Sequence, residues 1–240
     1  MKIGRFRKLR NLDWLGSVWR ITTVNPFVKY FDVKKQKLME THIAPFPEEL
    51  ALRLITLYSK RRDYVLDPFC GSGTTNYVAL SLKRKTIGYD LEQKYIDMAR
   101  QRCGGRGMFI CKGSENMKEV YSNSMQLCVT SPPYLNLRKY SNNPKNIGNH
   151  KDPYPALKKV FKEVYRVLKP RGHFCLNVAG APDGKGNCHR FPFDMIYLCQ
   201  EIGFRFKTTI IWDKGITLRE WNIENNKPNE NHEYVWVMEK

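Results

Sequence analysis

Between residues 63 and 204, short apolar runs alternate with stretches whose apolar residues recur at helical spacing. DYVLDPF (63–69), KTIGYD (85–90), GMFICKGS (107–114), MQLCVTS (125–131) and HFCLNVAG (173–180) read as strands. EQKYIDMARQR (92–102), PYPALKKVFKEVYRVL (153–168) and FPFDMIYLCQEIGF (191–204) read as helices among them. PFPEELALRLITLYS (45–59) reads as a leading helix, with Pro47 and two glutamates suiting its first turn. KTTIIWDK (207–214) and HEYVWVMEK (232–240) could pair as a terminal hairpin-like unit. Few architectures accept this order. Parallel neighbours need long crossovers, and the crossover helices must cover both faces of the sheet. The expectation is an α/β fold with a mostly parallel, seven-stranded sheet.

In such sheets ligands bind where loops leave the carboxyl ends of strands. DPFCGSGTT (67–75) is one such loop, running from a strand into a helix. Gly71 and Gly73 permit tight turning and close backbone approach, and the helix start offers free amides. No Lys-Ser or Lys-Thr pair completes a phosphate loop, and dinucleotide-fingerprint spacing is absent. The next strand ends at Asp90. A carboxylate there is placed to accept two ribose hydroxyls at once. Loop and acid together fit a nucleoside-bearing ligand without a phosphate.

A second strand end is LCVTSPPY (127–134), where two consecutive prolines stop the run. Proline fixes φ and removes a donor, so the carbonyls of this turn are held rigidly and the ring of Tyr134 is left at its tip.

DPFCGSGTT followed by TSPPY resembles the S-adenosylmethionine-dependent DNA amino-methyltransferases, the cytosine-N4 and adenine-N6 enzymes. THIAPFPEEL (41–50), SPPYLNLRKY, VFKEVYRVLKPRGHFCLNV, IIWDK and HEYVWVMEK are similar too, so the likeness spans 41–240. It implies a Rossmann-like methyltransferase fold and S-adenosylmethionine as cofactor, leaving as S-adenosylhomocysteine, with no metal. Cofactor contacts would come from Thr41, His42, Ala44 and Phe46 at the methionine end. The glycine loop would add Asp67, Pro68, Phe69, Cys70, Gly71, Gly73, Thr74 and Thr75. Asp90 would hold the ribose, and Gly113 and Ser114 the adenine. Ser131, Pro132, Pro133 and Tyr134 would grip the target amine, with Tyr134 stacking on the base. A base inside a duplex cannot reach such a pocket, so it would be flipped out. Ser131 favours cytosine, because an acid at this position usually goes with adenine in the family. Transfer would be direct, with no covalent enzyme–base intermediate. Cys128 lies inside the strand and reads as core packing. Cofactor motifs precede Ser-Pro-Pro-Tyr here, so the chain looks circularly permuted relative to many cytosine-N4 enzymes.

Charge adds a partner. The formal net charge of +18 predicts salt-sensitive attraction to polyanions. In LNLRKYSNNPKN (135–146), Asn136 is a base-edge candidate, and Arg138 and Lys139 are phosphate-contact candidates; Arg219 and Trp221 lie in a second polar loop, 215–231. The two recognition loops, 135–152 and 215–231, are short, and no separate recognition domain is evident. This keeps RNA cytosine methylation open beside DNA, which is favoured, and leaves room for a partner subunit or a homodimer. An idle nucleic-acid-binding subunit is the reading from another class. Residues 1–40 read as an irregular basic extension carrying Trp14, Trp19, Phe27, Tyr30 and Phe31, ahead of a catalytic domain over 41–240. Seven cysteines without a CxxC pair suggest buried thiols in a reducing, cytoplasmic setting, associated with the nucleoid in a bacterium or archaeon. The five histidines are spread out and suggest no metal site, and no stretch approaches a membrane span.

Overall fold

The computed structural model describes residues 16–21, 30–32, 37–39, 47–133, 143–180, 190–215 and 231–240. Three short strands come first: β1 (Val18–Arg20), β2 (Tyr30–Asp32) and β3 (Lys37–Met39). Then follow α1 (Glu48–Tyr58), β4 (Tyr64–Asp67), α2 (Thr74–Ser81), β5 (Lys85–Asp90), α3 (Gln93–Arg102), β6 (Met108–Cys111) and β7 (Met125–Thr130). The chain continues through α4 (Tyr154–Val167), β8 (Leu168–Val178), α5 (Phe191–Ile202), β9 (Arg205–Asp213) and β10 (His232–Glu239). A single 3-10 turn, Ile147–Asn149, lies between β7 and α4.

The main sheet has the order β1-β9-β10-β8-β7-β4-β5-β6. β10 is antiparallel to both β8 and β9, and the other described pairings of this sheet are parallel. The sheet therefore holds eight strands, not the expected seven. The eighth, β1, comes from the segment read as irregular: Val18, Trp19 and Arg20 align with Ile211, Trp212 and Asp213 of β9. Trp19 holds it there, 1% exposed, its Nε1 donating to the Gly16 carbonyl at 2.8 Å. In return Trp212 Nε1 donates to the Ile21 carbonyl at 2.8 Å. β2 and β3 pair with each other.

Alternation along the strands feeds two cores. Leu127 and Val129 point to one face with Leu50, Leu54, Ile55, Val65 and Val78, the side of α1 and α2. Cys128 points to the other with Leu66, Phe161, Val164, Phe174 and Trp236, the side of α4 and α5. Burial on both faces is what makes these strands continuously apolar rather than alternating in polarity.

Strand β8 starts five residues before the expected 173. The Pro and Gly of KPRG suggest a turn, but Leu168 already pairs with Met125, and the register then shifts between Met125 and Leu127. Arg171, at φ 62, sits in that irregularity, with its amide bonded to the Lys240 carbonyl at 3.0 Å.

Candidate active site

β4 and β7 are adjacent and parallel, so their carboxyl ends lie side by side. A buried hydrogen bond staples them: Thr130 Oγ1, the last residue of β7, donates to Asp67 Oδ1, the last of β4, at 2.6 Å. Each strand then breaks into one of the two turns singled out in the sequence. After β4, Gly71 and Gly73 adopt φ 49 and 78, conformations that ordinary residues rarely take. Gly73 caps α2, and a Cβ there would fall 2.8 Å from Ala99 Cβ on α3. The glycine thus allows α2 and α3 to meet beneath the loop.

β5, on the other side of β4, ends at Asp90. Its Oδ2 accepts from the Gly71 amide at 3.0 Å and its Oδ1 from the Glu92 amide at 2.9 Å. Burial pushes the Asp90 carboxyl up to about 6, against the pull of these amides. Burial likewise lifts Asp67 to about 6, opposed by hydrogen bonds from Thr130, the Phe69 amide and Thr75.

These turns border one cleft, open to solvent. Pro68 and Phe69 contribute from the glycine loop, Asp90, Leu91, Glu92 and Tyr95 from the end of β5 and the start of α3. Lys112 to Glu115 come from the end of β6, Ser131 and Pro133 from the proline turn, and Asn146 and Ile147 from the segment before α4. Two side-chain oxygens are buried without a hydrogen-bond partner on this lining: Glu92 Oε1 and Ser114 Oγ. Orphaned acceptors at a cleft wall suit a ligand that carries its own donors.

Of the expected cofactor residues, Pro68, Phe69, Asp90, Gly113 and Ser114 line the cleft. Asp67, Cys70, Gly71, Gly73, Thr74 and Thr75 do not: they form the layer behind it. Asp67 is 5% exposed, and its Oδ1 accepts from both Thr130 Oγ1 and the Phe69 amide. Thr74 Oγ1 accepts from Arg102 at 2.9 Å. Cys70 packs with Ile96, Ala99, Cys103 and Phe109. Thr41, His42, Ala44, Phe46, Tyr134, Asn136, Arg138, Lys139, Arg219 and Trp221 lie outside the described residues. Of the remaining target residues, Pro132 is buried, and Ser131 and Pro133 are half-buried at the cleft. Cys128 is wholly buried, and burial holds its thiol well above the ordinary range, which leaves it inert as a nucleophile.

A family profile described as DNA methylase matches residues 3–101 and 125–240. The chain belongs to this N6/N4 DNA methylase family. A more general methyltransferase-domain profile matches residues 59–182. Among curated relatives, the Type II methyltransferase M.MthZI of Methanothermobacter thermautotrophicus is 38% identical over 91 residues, covering 38% of this chain and 24% of that protein. The Type II beta methyltransferase M.BslI of a Bacillus species is 38% identical over 123 residues, covering 47% of this chain and 13% of its own length. The chain thus spans about a quarter or less of these relatives. The fold is that of a SAM-dependent methyltransferase structure from Methanosarcina mazei: TM-score 0.56 and 17% identity, covering 78% of this chain and 96% of that one. A TehB-like SAM-dependent methyltransferase from Corynebacterium glutamicum gives TM-score 0.53 at 16% identity, covering 82% and 89%.

In this DNA methylase domain several cleft residues escaped the sequence reading: Leu91, Glu92, Tyr95, Lys112, Glu115, Asn146 and Ile147. Glu92 follows Asp90 by two positions, so an acid-x-acid pattern at a strand end was the available signal. Asn146 falls in the expected recognition loop, 135–152, where it was given no role of its own. There its Oδ1 accepts from the Gly148 amide at 2.9 Å.

Proposed function

We propose that this domain transfers a methyl group from S-adenosylmethionine to the exocyclic N4 amine of cytosine in DNA. The observation that carries the reading is the shared cleft: Phe69 and Asp90 on one wall, Ser131 and Pro133 on the other. A methyl donor seated against the first pair would lie beside an amine held by the second. Bound there, the cofactor supplies an electrophilic methyl on a sulfonium.

The fit of such a cofactor rests on the lining. Asp90 and the orphaned oxygens of Glu92 and Ser114 accept hydrogen bonds, which suits the hydroxyls and amine of a nucleoside. Asp90, Glu92 and Glu115 outnumber Lys112 as charged lining residues. This acidic cleft within a chain of net charge +18 suits a cationic ligand at the centre and a polyanion around it.

An exocyclic amine is a poor nucleophile while its lone pair is delocalised into the ring. Acceptors aimed at its two N–H groups favour the localised, tetrahedral form. In this reading the Ser131 Oγ and the Pro132 carbonyl are the candidate acceptors of this turn. Fixed by proline and partly closed from water, they need no reorganisation as charge develops on the nitrogen. Ser131 in place of an acid favours cytosine over adenine.

The test is to incubate the protein with unmethylated DNA, RNA and labelled S-adenosylmethionine, digest to nucleosides and identify the product by mass spectrometry. N4-methyldeoxycytidine is expected. N6-methyladenine products alone would replace the base assignment, N4-methylcytidine from RNA alone would replace the polymer, and no product with no cofactor binding would favour the idle subunit.

A further inference from the structure

Behind Ser131 runs a buried polar chain to whose members the sequence reading assigned no role. Asn177 lies near the end of β8, 1% exposed, in a strand otherwise filled with Phe174, Cys175, Leu176 and Val178. Its Nδ2 donates to Glu233 Oε2 of β10 at 2.5 Å and to Ser131 Oγ at 3.4 Å. Glu233 is 8% exposed, and its other oxygen meets Lys214 Nζ at 2.5 Å, just past the end of β9. Lys214 in turn lies 5.3 Å from the centroid of the Trp212 ring. The line Ser131–Asn177–Glu233–Lys214 thus crosses from β7 through β8 and β10 to β9.

A polar cluster in an apolar layer costs desolvation, and a buried ion pair is often no more stabilising than apolar packing. Its geometry points elsewhere. A carboxylate only accepts, so Glu233 obliges Asn177 to present its NH2 rather than its carbonyl. An amide nitrogen held this way has a second hydrogen, and that hydrogen falls toward Ser131 Oγ. The Ser131 hydroxyl must then accept at its back.

We propose that Asn177, held by Glu233 and Lys214, is the positioning residue for Ser131, fixing the place and polarity of the hydroxyl that receives the target amine. This rests on the reading of Ser131 given under the proposed function. Asn177 touches neither base nor cofactor in this scheme and acts only through Ser131.

A double-mutant cycle tests it on the full chain, with unmethylated genomic DNA and labelled S-adenosylmethionine under single-turnover conditions. Asn177→Ala is expected to slow transfer by about 10- to 100-fold, the range typical when a partner that orients an active group is lost. Cofactor affinity, read by calorimetry, should stay within about twofold. In a Ser131→Ala background the same substitution should cost less than about twofold more, since residues acting as a unit are non-additive. Lys214→Met, at the half-exposed far end, loosens the chain without a cavity in the core. It should show a smaller loss with the same non-additivity, and so covers the case in which Asn177→Ala fails to fold. Additive losses, or a fall in cofactor affinity that matches the fall in rate, would overturn the positioning role while leaving methyl transfer intact. A wild-type protein that transfers no methyl would overturn the functional reading, and this inference with it.

Discussion

Asp67→Asn separates the electrostatic cost of this site from its architecture. The carboxyl sits under the cleft, 5% exposed, and burial lifts it from an ordinary 3.8 to about 6. A group whose folded value is raised contributes stability that is complete below its unfolded value and is lost as pH rises through the folded one. For Asp67 that window runs from about 4 to about 6. At about 1.4 kcal/mol per pKa unit, the ionised carboxylate makes the folded state roughly 3 kcal/mol less stable at neutral pH than below pH 4. Asparagine is nearly isosteric. Its carbonyl can still accept from Thr130 Oγ1 and the Phe69 amide, and the Thr75 hydroxyl can turn from donor to acceptor. The variant has nothing to ionise, so its stability relative to wild type should grow by about 2–3 kcal/mol between pH 4 and pH 7. Urea denaturation of both proteins across that range measures the difference, with equal m-values confirming that the same surface unfolds. A difference that stays flat with pH, or that shrinks as pH rises, would refute the claim that burial dominates at Asp67. Asp90 titrates in the same window, and its charge is one cause of the rise at Asp67, so removing the Asp67 charge also eases ionisation of Asp90 and adds to the difference in the same direction.

Three further outcomes follow from the same geometry. Gly73→Ala puts a methyl 2.8 Å from Ala99 Cβ at φ 78, so thermal or chemical melting should show a loss of about 2–4 kcal/mol from combined strain and overpacking. Asp90→Ala removes the proposed ribose acceptor and the anchor of the Gly71 amide, and calorimetry should show cofactor affinity falling about tenfold or more, whereas Pro133→Ala should slow transfer with affinity kept. Equal loss of affinity in both would contradict the division of the cleft into two walls. Trp19→Ala should cost about 3–5 kcal/mol in denaturant melts, because it empties a buried site that joins β1 to the sheet; a neutral effect would mean that β1 is dispensable.

Local pattern read well where one residue type leaves few options. KTIGYD is a strand over Lys85–Asp90 as expected, because a short run buried on both faces and the acidic turn that follows leave little freedom. The leading helix, the α4 repeat and the pairing of β9 with β10 also followed from periodicity and order. Errors arose where long-range pairing outvoted local signals. The Pro and Gly of KPRG signal a turn, yet the neighbouring strand and the end of β10 capture those residues into β8. Trp19 reads locally as one ring in a basic tail, but the sheet edge offered by β9 gives its segment hydrogen-bond partners and a core.

What the sequence determined by itself was the fold class and the two turns. Strand-helix alternation fixes a covered parallel sheet, glycines at left-handed positions fix one loop, and paired prolines stop one strand, all through restrictions local to a few residues. What only the tertiary structure decided was which side chains face the cleft. Asp67 and Asp90 look equivalent in sequence, each an acid at a strand end. The staple to Thr130 turns the first inward beneath the site, and the Gly71 and Glu92 amides hold the second at its wall. Asn177, distant in sequence from Ser131, became its neighbour only because β8 lies beside β7, and Glu233 reached Asn177 only because β10 lies beside β8. Such contacts depend on register between strands far apart in the chain, and no local periodicity encodes that.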